Sequence, residues 1–179
     1  TVGPDRFLSA AQRYQMMPAI DRWVIDQAIS QLSAVAGWLK DRPVVFSLNF
    51  SGQSLNDEAF QDFLLDRLEH GSIDPAVFCF ELTESDAVAN IGKAEGLMRR
   101  LRKLGCGVAL DDFGTGLSSL SYLRALPVTL LKIDGSFVRD ITTNVVSQAV
   151  VAAIAEVARV MQLETVAEYV QDQAAIDLL

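Results

Sequence analysis

Short apolar runs recur along this chain, and each gives way to a segment with helical spacing. The runs cover residues 44–51, 76–84, 106–111, 129–134 and 163–170. Between and beyond them, residues 56–69, 90–104, 120–126, 147–161 and 173–179 read as helices. Most of the runs are continuously apolar rather than alternating. Strands buried on both faces look like this, and they belong to parallel sheets layered with helices. The pattern predicts an α/β fold with strand and helix in strict alternation. Before the first run, Gly3-Pro4-Asp5 opens a short helix with Asp5 as its N-cap. Pro18 starts a longer amphipathic helix, with Ile20, Trp23, Val24, Ala28, Leu32 and Val35 as its inward face. Gly105 closes the helix at 90–104 as a C-cap. No linker or low-complexity stretch interrupts the chain, so residues 1–179 are expected to form a single domain.

Composition narrows the class of function. The 179 residues are half hydrophobic, enough for one core, and carry a formal net charge of −8. That acidity argues against a duplex nucleic-acid partner, which needs a basic face. No apolar stretch is long enough to span a bilayer. Cys79 and Cys106 lie inside strand-like runs and read as buried thiols of a reducing compartment. His70, the one histidine, reads as a surface residue, which leaves no basis for a zinc site.

The strand ends carry the chemistry. Asn49 ends the first strand, Glu81 the second, Asp111 and Asp112 the third, and Lys132 lies near the end of the fourth and Glu168 of the fifth. In a parallel sheet these ends share one side, and in a closed (β/α) barrel that side is the active-site face. Two adjacent carboxylates repel each other, and a divalent cation would stabilise both as anions. The two glycines of the loop Phe113-Gly114-Thr115-Gly116 let backbone N–H groups turn toward an anion. Any one of these acids taken singly is a solvated strand end. Together they form a hard-oxygen set without a His or Cys cluster, which points to Mg²⁺ or Mn²⁺. Carboxylates shared between two ions suit attack on a phosphodiester, with Lys132 stabilising the water or the developing charge. A barrel lysine can also form a Schiff base. The surrounding acids favour the metal site.

Residues 47–51, Phe80-Glu81-Leu82-Thr83-Glu84, Asp111-Asp112-Phe113-Gly114-Thr115-Gly116 with residues 117–120, residues 131–137 and Val166-Ala167-Glu168 resemble, in order, the motifs of the EAL domains, bacterial phosphodiesterases that linearise cyclic di-GMP. The resemblance implies a (β/α) TIM-type barrel and hydrolysis of cyclic di-GMP to linear pGpG with two Mg²⁺ or Mn²⁺ ions. It implies that Asn49, Glu81 and Asp111 hold the first ion and that Asp111, Asp112 and Glu168 hold the second. Lys132 and Glu168 would be catalytic, with Lys132 positioning or activating the water. Glu84 would anchor the loop Phe113, Gly114, Thr115 and Gly116, which in the family links dimerisation to the metals. As a bare residue, Glu84 also reads as an N-cap for the next helix. Further implications are a homodimer, fusion to sensor or GGDEF-type domains, and a cytoplasmic setting, either free or as the cytoplasmic part of a membrane-anchored parent.

The chain also departs from the family pattern. The Glu-Ala-Leu segment that names the family is absent, as are the family's last strands and its glutamine motif. Five strands fall short of the eight that close such a barrel. The chain is therefore expected to be an internal fragment, truncated at both ends and inactive by itself. Gln12 and Gln171 stand where Glu is usual, and Tyr169 follows Glu168. An alternative of another class is a degenerate EAL domain that binds cyclic di-GMP as a receptor without cleaving it.

Overall fold

The computed structural model describes residues 3–39, 42–115 and 120–179, without the side chains of Asp5 and Leu120. Three helices come first: α1 (Pro4–Arg13), α2 (Met17–Ser33) and α3 (Ala36–Leu39). Then strands and helices alternate: β1 (Phe46–Asn49), α4 (Gly52–Asn56), α5 (Glu58–Glu69), β2 (Phe78–Thr83), α6 (Glu84–Ala89), α7 (Ile91–Lys103), β3 (Gly107–Phe113), β4 (Leu130–Ile133), α8 (Gly135–Val138), α9 (Val145–Met161), β5 (Glu164–Ala167) and α10 (Gln173–Ile176). The strands form one sheet in the order β1-β2-β3-β4-β5, and every neighbouring pair is parallel. This matches the expected α/β architecture. The sheet remains open among the described residues, with β1 and β5 as its edges. No helix among them is long and apolar enough to cross a membrane.

The two faces of the sheet differ. Leu48, Phe78, Phe80, Leu82, Val108, Leu110, Leu131 and Ile133 are buried and belong to the core. Ile25, Ile29, Phe60, Leu64, Leu97, Leu101, Val151 and Ile154, from four helices, belong to the same core. The opposite face carries Ser47, Asn49, Cys79, Glu81, Ala109, Asp111 and Lys132, one residue out of step with the first set. It is buried in the centre at Cys79, Glu81 and Ala109 and exposed at the edges at Ser47, Asn49, Glu164 and Val166.

Several local expectations need correction. The inward stripe of α2 is Asp21, Ile25 and Ile29, with Ala28 and Leu32 packed against the core, whereas Trp23, Val24 and Val35 are exposed. A buried acid rotates the stripe: Asp21 Oδ2 accepts the Ser51 N–H at 2.8 Å and the Ser54 hydroxyl at 2.6 Å, so its burial is paired. Asp5 lies inside α1, whose N-cap is Gly3. The segment before α5 forms the separate helix α4, because Ser51 caps one start and Asp57 the other. An unforeseen helix, α6, follows β2, with Thr83 as its cap rather than Glu84. The helix expected at 120–126 is a 3-10 turn, Leu120–Arg124. Gly105 follows the C-cap Leu104 with φ +97, as a helix-ending glycine does. His70 is exposed, and Cys79 and Cys106 are free and buried.

Candidate active site

Lys132 lies at the centre of the inner face. Its position on β4 is opposite Val166 of β5. The ammonium lies 2.7 Å from Glu81 Oε2, 2.8 Å from Glu168 Oε1 and 3.0 Å from Asp111 Oδ1. Glu81 is nearly inaccessible, its side chain 2% exposed, and its Oε2 also accepts from the Asn49 amide at 3.3 Å. Asn49 and Glu81 are register partners, which brings the amide to the carboxylate. Burial alone would lower the Lys132 pKa, but hydrogen bonds to Glu168, Glu81 and Asp111 outweigh it and leave it raised. Lys132 is therefore a fixed cation and a hydrogen-bond donor.

The Asp-Asp pair depends on an irregularity in the sheet. Leu110 pairs with Leu131 and Phe113 with Ile133, so Asp111 and Asp112 together stand opposite Lys132 alone. Asp112 takes the left-handed conformation, φ 53. Consecutive strand residues ordinarily face opposite sides of a sheet. Here the bulge turns both carboxylates the same way. Oxygens of Asp111, Asp112 and Glu168 all come within 4.8 Å of one another. Asp112 is pushed up from its usual pKa by burial, by the charge of Asp111, by a hydrogen bond shared with Asp134 and by the charge of Glu168. Burial acts to raise Asp134 as well, but hydrogen bonds from Ser136, the link to Asp112 and the charge of Arg139 bring it below the usual range. A hard-oxygen cluster that repels its own charge fits a divalent cation.

Glu84 holds the turn beyond this bulge. It is 4% exposed, and one oxygen accepts the Gly114 N–H at 2.9 Å while the other accepts the Tyr122 hydroxyl. Burial, the hydrogen bond to Glu84 and its charge together raise the Tyr122 pKa. Gly114 has φ +104, and a Cβ there would come 2.9 Å from Ile154 and 3.1 Å from Phe137. Thr115 donates its hydroxyl to the Asp112 carbonyl at 3.0 Å. Phe113, expected in the loop, is instead the buried last residue of β3. Gly116 lies outside the described residues.

The structure therefore brings Glu81, Asp111, Glu168 and Lys132 into direct contact, with Asn49 beside Glu81 and Asp112 beside Asp111 and Glu168. Sequence reasoning missed Asp134, Tyr122 and Asp21. Asp134 had a usable signal, since it follows Lys132 by two positions and so shares its side of the strand. Tyr122 had none, because its contact with Glu84 spans 38 residues.

Comparison with known proteins gives consistent results. The sequence model of the family described as the EAL domain matches residues 1–179. The chain is 42% identical to the cyclic di-GMP phosphodiesterase PdeB of Shewanella oneidensis, over 99% of the chain and 21% of that protein. It is 34% identical to the cyclic di-GMP phosphodiesterase PdeF of Escherichia coli, over 96% of the chain and 23% of that protein. It thus spans about a fifth of the length of these curated relatives. Among solved structures it resembles the PaMucR phosphodiesterase in complex with c-di-GMP, with TM-score 0.89 and 32% identity, covering 99% of this chain and 76% of that one. It also resembles the FimX EAL domain from Pseudomonas aeruginosa bound to c-di-GMP, with TM-score 0.87 and 28% identity, covering 99% and 70%.

Proposed function

Since the chain belongs to the EAL domain family, we propose that it works in the hydrolysis of cyclic di-GMP to linear pGpG. The observation that carries this reading is the meeting of three carboxylates, Asp111, Asp112 and Glu168, beside a lysine held charged by Glu81, Asp111 and Glu168. The family is metal-dependent, and the acidic cluster is suited to such an ion. In this reading Asn49, Glu81 and Asp111 hold one Mg²⁺ or Mn²⁺, and Asp111, Asp112 and Glu168 hold a second. When bound, the two ions supply an activated water and neutralise the charge that builds on the phosphodiester.

The remaining steps belong to the chain's own side chains. Lys132, kept protonated, donates hydrogen bonds that orient the attacking water and stabilise the developing oxyanion. Water attacks phosphorus, one P–O ester bond breaks, and the ring opens to the linear dinucleotide. Glu84 keeps the turn after Asp112 in place through Gly114 and Tyr122. That turn is also where a homodimer would bear on the metal ligands. Fusion to sensor or GGDEF-type domains belongs to the same reading, and the greater length of PdeB and PdeF supports it. So does a cytoplasmic setting, with which the free, buried Cys79 and Cys106 accord.

The test uses the protein as its cell makes it, with Mn²⁺ and cyclic di-GMP, and follows pGpG by chromatography and nucleotide binding by calorimetry. The expected result is turnover that Asp112→Asn abolishes while leaving binding in part. Undiminished turnover by Asp112→Asn removes that residue from the metal set. Nucleotide binding without turnover by the unaltered protein identifies a receptor instead.

A further inference from the structure

β5 releases the chain just where Glu168 must be held. Ala167 is its last paired residue, opposite Ile133, and the next backbone bond, from the Glu168 N–H to the Ile133 carbonyl, is stretched to 3.4 Å. The residue that follows is strained. Tyr169 has φ 56, in the left-handed region that residues with a Cβ seldom occupy. Such a conformation persists only where the surroundings impose it. Here α8 does so. The Tyr169 ring packs so closely on Gly135 that a Cβ there would fall 2.2 Å from ring Cδ2. The Arg139 guanidinium lies over the ring, 4.1 Å from its centroid. Gly135 and Arg139 are four residues apart and so share one face of the helical turn, which the ring spans. The same turn is capped by Asp134, whose side chain meets Asp112.

We propose that Tyr169, Gly135 and Arg139 form a latch that positions Glu168 in the metal-ligand set, with Tyr169 and Arg139 as positioning residues. The latch ties the end of β5 to the helix that begins beside the end of β3, so Glu168 and Asp112 are set relative to each other through α8. This proposal rests on the metal reading above.

The test is Mn²⁺ affinity, measured by calorimetry on the native protein without nucleotide, so that no turnover is needed. Arg139 is exposed, and its removal leaves the core intact. Arg139→Ala should weaken Mn²⁺ binding roughly 10-fold, as loss of a group supporting a metal ligand does. Gly135→Ala, which displaces the ring without altering Tyr169 or Arg139, should do the same. Tyr169→Phe, which keeps the ring, should retain affinity within about twofold. In a Glu168→Gln background Arg139→Ala should have no further effect. If Arg139→Ala and Gly135→Ala bind Mn²⁺ like the unaltered protein while Asp111→Ala does not, the latch is overturned and the metal reading stands. An undiminished effect of Arg139→Ala in the Glu168→Gln background also overturns the latch. If Asp111→Ala binds like the unaltered protein, or the unaltered protein binds no Mn²⁺, the metal reading fails and the latch with it.

Discussion

The Lys132 ammonium and the Glu81 carboxylate, 51 residues apart in sequence, meet at 2.7 Å with the glutamate almost wholly removed from water. A charge buried that deeply must be paired, and a pair so placed stabilises the fold mainly by what its loss would leave behind. Lys132→Ala should therefore destabilise the protein by about 3 kcal/mol, since Glu81 loses its main counter-charge. Mn²⁺ should recover part of that loss by supplying another cation. Urea unfolding with and without Mn²⁺ measures both effects. Turnover should fall by roughly 10²-fold or more if the ammonium stabilises developing charge.

The anchor of the turn after β3 can be taken apart by degrees. Tyr122→Phe removes one hydrogen bond to Glu84 and should lower stability by about 1–2 kcal/mol. Glu84→Ala orphans both Gly114 N–H and the Tyr122 hydroxyl and should lower it by about 3 kcal/mol. It should also weaken Mn²⁺ binding more than Tyr122→Phe does, because the turn carries Asp112. Equal Mn²⁺ affinity in the two variants would separate the turn from the metal ligands.

Asp21 offers a test on the other side of the sheet. Asp21→Ala strands the Ser51 N–H and the Ser54 hydroxyl, both close behind Asn49, and should lower stability by about 2–4 kcal/mol. Asp21→Asn keeps an acceptor oxygen there and should lose less than half of that. Denaturant midpoints at a constant m-value decide the matter.

The buried thiols predict an alkaline limit. Burial, together with the charge of Glu81, raises Cys79 to about 11. Burial raises Cys106 to about 12. In the unfolded chain both titrate near 9. A folded-state pKa above the unfolded one gives stability that is complete below pH 9 and is lost as pH rises through 11 and 12. Melting temperature should fall over that window, and Cys79→Ser with Cys106→Ala should flatten the fall. At pH 8 iodoacetamide should label neither thiol until the protein unfolds.

At the acid end, Asp140 accepts from Asn144 and Ser147, each at 2.7 Å, and these bonds hold its carboxyl below the usual range. Asn144 caps α9, so the cluster secures the start of that helix. A lowered folded-state pKa gives stability that is present above about pH 4 and lost as pH falls through the lowered value. Asp140→Asn should remove that acid-limb dependence, as read by circular dichroism across pH 2–5.

The order of the five strands could be read without coordinates, as could the acids and the lysine gathered at the strand ends. Continuous apolar runs make buried parallel strands, and parallel strands place their ends on one side. These features follow from composition along short windows, which covalent order alone sets. What the sequence left open was parity and partner. Whether Asp111 and Asp112 face one way or opposite ways depends on how β3 registers with β4, and the bulge at Asp112 settles it. That Asp21 turns inward depends on Ser51 and Ser54, some thirty residues away. That Tyr169 can hold a left-handed conformation depends on Gly135 and Arg139 of another element. A one-residue change of register sends a side chain to the other face of a sheet. So the set of strand-end residues was local information, and their convergence on Lys132 was decided by contacts that exist only once the chain has folded.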